Sequence, residues 1–213
     1  MVAVKSVAIF GGTFDPIHQG HLQSALALKQ QLTLDELRLL PCHIPPHRHS
    51  PGCTSEQRLA MVRLACEGTG LIVDDRELRR PGPSYSVETL EQLRAELGAD
   101  VSISWVMGTD AFNGLEQWYR WQDVLELAHI IVIDRPGEAL ARTEALVTLL
   151  ERYQVEDTAV LQRETHGRIV RVSLPPYPIS ATEVREAIEK QQPLDGFLPA
   201  SVVNYITMHK LYH

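Results

Sequence analysis

The chain has 213 residues and a formal net charge of −7, with 44% apolar, 6% aromatic and 22% charged residues. These proportions are those of a soluble globular protein and exclude a disordered or collagen-like chain, while the acidic balance disfavours broad contact with a nucleic acid, which needs a basic face. At about 150 residues per domain the length suits one large domain or two small ones, and the absence of repeats, low-complexity tracts and linkers favours a single domain over residues 1–213.

The opening MVAVKSVAIFGG has too short an apolar run for a signal peptide, and no later stretch approaches the ~20 apolar residues of a membrane span. The expectation is a cytoplasmic chain with no membrane partner. Val4–Phe10 is the first candidate strand, with the continuous apolar core of a strand buried on both faces. Directly after it stands Gly11-Gly12-Thr13-Phe14-Asp15-Pro16-Ile17-His18-Gln19-Gly20-His21. In a doubly wound sheet, ligands bind at the carboxyl ends of the strands. Paired glycines let backbone N–H groups approach a phosphate. A helix starting near Gln19, with Leu22, Ala25, Leu26 and Leu32 as its apolar stripe, aims its amides and positive dipole end at the same place. His18 and His21, three apart, can face the phosphates together and donate to them. The same residues also read as an ordinary turn, and the two histidines as a metal pair without an evident third ligand.

The strand Glu36–Leu40 leads into Pro41–Gly52, PCHIPPHRHSPG, whose four prolines fit neither a helix nor a central strand. Long loops in compact domains tend to be functional, which makes this one a candidate substrate loop. Cys42, His43, His47, His49 and Cys53 could hold zinc, but their spacing matches no common zinc pattern. With Cys66, the cysteines are odd in number and form no C-x-x-C pair, which fits reduced thiols better than a disulfide framework. Thr54-x-x-Gln57 is a capping box opening a helix through Leu59, Val62 and Ala65. Leu71–Asp75 is the third strand. Ser86 is expected to cap a helix carrying Val87, Leu90, Leu93 and Leu97, which Gly98 stops.

The fourth strand, Val101–Met107, runs into Gly108-Thr109-Asp110. Beyond it, Trp118, Trp121 and Leu125 are spaced as on a buried helix face, with Trp121 expected in the core. Strands His129–Asp134 and Arg168–Leu174 follow. Near the end, Ile179-Ser180-Ala181-Thr182-Glu183-Val184-Arg185 contains a capping box, Ser180-x-x-Glu183, before a helix with Val184, Ala187 and Ile188. The same geometry suits a phosphate, because helix-start hydroxyls and amides would stand beside the fork of Arg185. Strands alternating with helices predict an α/β fold with a doubly wound parallel sheet. The G-x-G-x-x-G and P-loop patterns are absent.

The eleven residues GGTFDPIHQGH resemble the signature of the adenylyltransferase and cytidylyltransferase superfamily, with its H-x-G-H element. ISATEVR resembles that superfamily's second motif, I-S-S-T-x-x-R, with Ala181 in place of a serine. The segments PPHR at 45–48, SYSVETL at 84–90, GTD at 108–110, LEQWY at 115–119 and IDRPG at 133–137 are similar to bacterial-type nicotinate mononucleotide adenylyltransferases. With Tyr205–Tyr212 near the end, the similarity spans Val4 to Tyr212.

This resemblance implies a Rossmann-like nucleotidyltransferase fold and adenylyl transfer from ATP to nicotinate mononucleotide, giving nicotinate adenine dinucleotide and pyrophosphate, a step of NAD biosynthesis. It implies His18, His21 and Arg185 as catalytic donors. ATP contacts would come from Gly11, Gly12, Thr13, Phe14, His18, His21, Gly108, Asp110, Arg135, Ile179, Ser180, Thr182 and Arg185. Acceptor contacts would come from Thr13, Arg48, Tyr85, Ser86, Trp118 and Tyr119. Arg48 stands where the family usually has lysine, keeping the charge and changing the geometry. The resemblance further implies Mg²⁺ carried on the substrate phosphates rather than at a protein metal site. Nicotinamide mononucleotide as acceptor, or a catalytically silent nucleotide-binding protein, are the alternatives.

Overall fold

The computed structural model describes residues 4–45, 51–134, 140 and 143–212. Strands form where the sequence has its β-branched runs: β1 (Ser6–Gly12), β2 (Glu36–Pro41), β3 (Ile72–Val73), β4 (Ser102–Gly108) and β5 (His129–Asp134). A two-residue strand that the pattern does not announce, β6 (Gln154–Val155), precedes β7 (Ile169–Ser173). They make one parallel sheet in the order β3-β2-β1-β4-β5-β7-β6. The chain winds outward from β1 in one direction and then from β4 in the other, which is the doubly wound, Rossmann-like arrangement. β1 and β4 pair from Ser6↔Ser102 to Phe10↔Val106, so their carboxyl ends leave the sheet side by side.

The helices are α1 (Gln19–Gln31), α2 (Ser55–Cys66), α3 (Ser86–Leu97), α4 (Thr109–Asn113), α5 (Val124–Leu127), α6 (Glu144–Tyr153), α7 (Ala181–Glu189) and α8 (Ala200–His209). Among the described residues, no helix is long and apolar enough to cross a membrane. In α1 the buried positions are Gly20, Leu22, Ala25 and Leu28, and Leu26 is only half-buried.

Two local expectations are corrected. Tyr85, not Ser86, is the N-cap of α3, in extended conformation and without a side-chain cap bond. The reason is that the first helical bond already runs from the Thr89 N–H to the Tyr85 carbonyl, 3.2 Å, which makes Ser86 the first helical residue. Trp118, Trp121 and Leu125 also share no helix face. Arg120 sits in the left-handed region at φ 51° and separates one 3₁₀ turn, Leu115–Gln117, from another, Trp121–Asp123. Trp121 is consequently half-buried rather than in the core, and it lines an open cleft of about 1060 Å³ with Leu125, Leu149 and Tyr153. Leu115, Val124 and Leu125 take the buried places instead.

The chain groups into two compact units. The first contains Met1–Gly11, Lys29–Leu37 and Tyr85–Pro176. Its core is the apolar face of the central strands, with Ile103, Ile130, Ile131, Val132 and Ile169 wholly buried. Arg94 ties four carbonyls of this unit together: Gly98 at 3.1 Å, Val101 and Leu127 at 2.6 Å, and Thr165 at 3.1 Å. At the start of β1, Ser6 donates its N–H (2.7 Å) and hydroxyl (2.9 Å) to Asp35. The backbone donor is the main reason that the Asp35 carboxyl lies below its ordinary range.

The second unit contains Gly12–Leu28, Arg38–Ser84 and Tyr177–His213. Its α2 starts from the expected capping box, with Gln57 N donating to Thr54 Oγ1 at 3.2 Å and Thr54 N donating to Gln57 Oε1 at 3.0 Å. The stripe Met61, Val62 and Ala65 is buried. Burial pushes the Asp74 carboxyl up, but the fork of Arg76, with Nη2 at 2.7 Å, outweighs it and holds the group ionised below its ordinary range.

Candidate active site

Several of the residues that the sequence marks for phosphate chemistry come together in the second unit. Gly12 closes β1 because nothing larger fits: a Cβ there would lie 2.9 Å from the Phe14 ring. Phe14 is buried and takes a left-handed backbone, φ 50°. For a bulky L-residue that conformation costs on the order of 1 kcal/mol, so the turn depends on outside fastening. His18 follows, 4% exposed. Its ring stacks on His21 with centroids 3.7 Å apart and planes at 27°. Each ring receives the other residue's backbone N–H on Nδ1, at 3.4 Å. These bonds are long, yet they assign both Nδ1 atoms as acceptors and so place the ring proton on Nε2. Phe14 meets His21 edge-on at 5.1 Å.

Gly20 joins this turn to the C-terminal motif. A Cβ at Gly20 would lie 2.9 Å from His18 Nδ1 and 3.2 Å from the Ile179 carbonyl oxygen. From Ile179 the chain enters α7 through the predicted capping box. Ser180 Oγ accepts from Glu183 N at 3.2 Å and donates to Glu183 Oε2 at 2.7 Å. The Ser180 hydroxyl thus serves the cap, and its donation holds the Glu183 carboxyl below the ordinary range. Thr182 Oγ1 accepts from Arg185 Nη2 at 3.2 Å, which leaves its proton for donation. Arg185 Nη1 donates to the Asp15 carbonyl at 2.7 Å, which aims the guanidinium at the first βα turn.

The start of α1 differs from its sequence reading. Its first amides are not all available to a ligand: Gln19 N bonds the Phe197 carbonyl at 2.8 Å, and His21 N bonds the His18 ring. The histidine side chains, rather than a bare helix end, are the donors that this turn presents.

In the first unit, Gly11 is half-buried near the end of β1, and Gly108 is the N-cap of α4. Asp110 is exposed in the first turn of that helix. Thr109 anchors the helix start by donating to the Ile133 carbonyl at 3.3 Å. Tyr85 and Tyr119 are brought together, ring centroids 4.7 Å apart, with Tyr119 half-exposed. Trp118 is half-buried just before Tyr119, and Ser86 begins α3. Arg48 and Arg135 lie outside the described residues, as do His47 and His49. His43 is engaged with Ser55 Oγ at 2.9 Å. Among the described residues, no three His, Cys, Asp or Glu side chains gather as a metal ion needs.

Residues 9–187 match the model of the cytidylyltransferase-like family. A protein of Cellvibrio japonicus named "Probable nicotinate-nucleotide adenylyltransferase" is 47% identical over 97% of this chain and 98% of its own length. The chain belongs to the nicotinate-nucleotide adenylyltransferase family. A relative from Pseudomonas fluorescens with the same name is 44% identical over 98% of this chain and 97% of its own. The solved structure of Plasmodium falciparum nicotinic acid mononucleotide adenylyltransferase complexed with NaAD covers 98% of this chain and 97% of its own, at a TM-score of 0.72 and 17% identity, and so shares its fold.

Within this adenylyltransferase, three residues near the turn carry structure that the motif reading passed over. Asp15 accepts from Gly52 N at 2.9 Å and from the Tyr212 hydroxyl at 2.8 Å, so one carboxylate holds the end of the proline loop and the end of the chain. Burial, with bonds to Cys53 and Asp15, pushes the Tyr212 phenol far up, which keeps it a donor. Arg58 is wholly buried. A signal for it was available: Arg58, Met61, Val62 and Ala65 share one helical stripe, and an arginine on an otherwise apolar stripe needs a buried partner.

Proposed function

We propose that this adenylyltransferase transfers the adenylyl group of ATP to nicotinate mononucleotide, giving nicotinate adenine dinucleotide and pyrophosphate. The observation that carries the reading is the cluster of His18, His21 and Arg185 at the first βα turn. It supplies nitrogen donors, with two imidazoles stacked at 3.7 Å and a guanidinium held at 2.7 Å on the Asp15 carbonyl. Such a set suits a reaction whose barrier is electrostatic. A phosphate monoester is already ionised near neutral pH, so its oxygen attacks the α-phosphorus in line without a strong general base, and pyrophosphate leaves opposite. Catalysis is then positioning and stabilisation of the charge that builds on the phosphoryl oxygens.

His18 and His21 donate from Nε2, and Arg185 donates from its fork. Gly11, Gly12, Thr13, Phe14, Ile179, Ser180 and Thr182 line the phosphates and the nucleoside. Gly108 and Asp110 take the nucleotide ribose, and Arg135 joins the ATP site. Thr13, Arg48, Tyr85, Ser86, Trp118 and Tyr119 take the acceptor, with Trp118 stacked on the pyridine ring and the Tyr119 amide on its carboxylate. The donor set fits a Mg²⁺ ion carried on the phosphate oxygens, where it would neutralise charge. The reading takes the chain as one nucleotidyltransferase domain working in the cytoplasm. That place suits three cysteines of which none forms a disulfide, with burial pushing the Cys66 thiol up to about 11.

The test supplies ATP and Mg²⁺ with nicotinate mononucleotide, nicotinamide mononucleotide or no acceptor, and follows pyrophosphate release. Release is expected with the acid at a rate well above the amide. Equal rates would remove the acid preference, and no release with either would leave a nucleotide-binding protein without this activity.

A further inference from the structure

Arg58 stands outside every residue assigned above, and the fold invests heavily in it. Its side chain is 0% exposed. Nη1 donates to the Thr13 carbonyl at 2.5 Å. Nη2 donates to the His43 carbonyl at 3.0 Å and to Ser55 Oγ at 3.1 Å. Ser55 Oγ in turn donates to the His43 carbonyl at 3.1 Å, so that carbonyl is held twice. Nε is buried and makes no hydrogen bond among the described residues. Burying a guanidinium costs several kcal/mol, and an apolar side chain at this place would fill the stripe more cheaply.

What the arginine grips explains why it is there. Thr13 lies in the first βα turn, and His43 lies at the start of the proline loop. The Thr13 carbonyl and the Phe14 N–H belong to one planar trans peptide and point in opposite directions. Holding the carbonyl aims the N–H away from Arg58. The same holds for the His43 carbonyl and the Ile44 N–H. Phe14 is the residue in the left-handed conformation, φ 50°, so the gripped peptide is the one that leads into the strained position. A single planar fork fixes both peptides at once, which a lysine ammonium cannot do.

We propose that Arg58 is a positioning residue for adenylyl transfer, fixing the βα turn at Thr13 and the proline loop at His43 relative to each other. This rests on the reading of the turn as the phosphate site and of the loop as the acceptor site. Loss of the fork leaves the binding groups in place and loosens their alignment, so it lowers kcat more than it raises KM.

The experiment compares wild type, Arg58→Lys and Arg58→Gln for kcat and for KM of ATP and nicotinate mononucleotide, well below each variant's Tm, with the folded fraction measured by circular dichroism. Wild-type turnover tests the parent reading, because an inactive wild type would overturn that reading whatever Arg58 does. With wild type active, both variants are expected to lose 10–100-fold in kcat per folded molecule, with each KM within about threefold. Three outcomes overturn the proposal. One is kcat within threefold of wild type in Arg58→Gln. Another is wild-type kcat in Arg58→Lys, which would make charge alone sufficient. The third is failure of both variants to fold, which would make Arg58 a determinant of folding instead.

Discussion

Gly20→Ala sets two physical effects against each other. Gly20 is the second residue of α1, where alanine is favoured over glycine by ~1 kcal/mol on helix propensity. Propensity alone predicts a slightly more stable and fully active protein. Tertiary geometry predicts the opposite for activity. The new Cβ would lie 2.9 Å from His18 Nδ1 and 3.2 Å from the Ile179 carbonyl oxygen, whereas ordinary contact starts near 3.4 Å. The His18 ring has to retreat by about 0.5 Å, and the Ile179 backbone by a smaller amount. His18 cannot yield alone, because it is buried and stacked on His21 at 3.7 Å. A catalytic constellation tolerates about 0.5 Å, and a ~1 Å misplacement costs ~10²-fold. The expected result is a roughly tenfold loss of kcat in pyrophosphate release, with Tm within a few degrees of wild type. Gly114→Ala is the control, since a Cβ there meets nothing closer than 3.7 Å. A Gly20→Ala enzyme within threefold of wild-type kcat would refute the steric reasoning.

Arg185→Lys should lower kcat by about 10²-fold at unchanged helix content, because an ammonium cannot span both the Asp15 carbonyl and Thr182 Oγ1. More than a third of wild-type turnover would count against that role. Asp15→Asn loses one of the two bonds from Gly52 N and Tyr212 Oη, so calorimetry should show a loss of ~1–3 kcal/mol and a Tm several degrees lower. An unchanged Tm would show that the clamp contributes nothing. His129 is buried, accepts from Arg168 N on Nδ1 at 3.1 Å and is 3.0 Å from the Glu164 carbonyl through Nε2. Burial is the main cause that lowers its pKa from 6.5 to about 4. The unfolded chain therefore takes up this proton near pH 6.5 and the native protein only near pH 4. The stabilising contribution is complete above pH 6.5 and is lost as pH falls to about 4, ~3 kcal/mol in all. Urea unfolding should show that His129→Gln loses about 2 kcal/mol less than wild type between pH 7 and 4.5; equal losses would show that His129 does not drive the acid limb.

Much of the fold is legible in short windows of sequence. The apolar runs become β1, β4 and β5 within two residues of their expected ends, and both capping boxes form on Thr54 and Ser180 as read. Windows fail where a single backbone angle breaks the period. The Trp118–Trp121–Leu125 stripe has helical spacing, yet Arg120 at φ 51° divides it into two turns. Nothing in the identity of an arginine announces that angle. The catalytic candidates His18, His21 and Arg185 were legible through motif resemblance, but their arrangement was not. Ser180 was legible as both a cap and a phosphate donor, and the structure commits its proton to Glu183.

The sequence by itself determined six of the seven strands and their alternation with helices, the turn that carries His18 and His21, and the family. Those features rest on burial periodicity, caps and contiguous motifs, which act over a few residues. Tertiary structure alone decided how the turn is held. Arg58 reaches Thr13 across 45 positions, Arg185 reaches Asp15 across 170, and Tyr212 reaches it across 197. No local window names the partners in such contacts: the apolar stripe of α2 marks Arg58 as needing a buried partner but not which carbonyl it reaches, and Arg185 and Tyr212 satisfy their own helix or turn without Asp15. Only folding brings the carbonyls of Thr13 and Asp15 to the guanidinium groups that fix them.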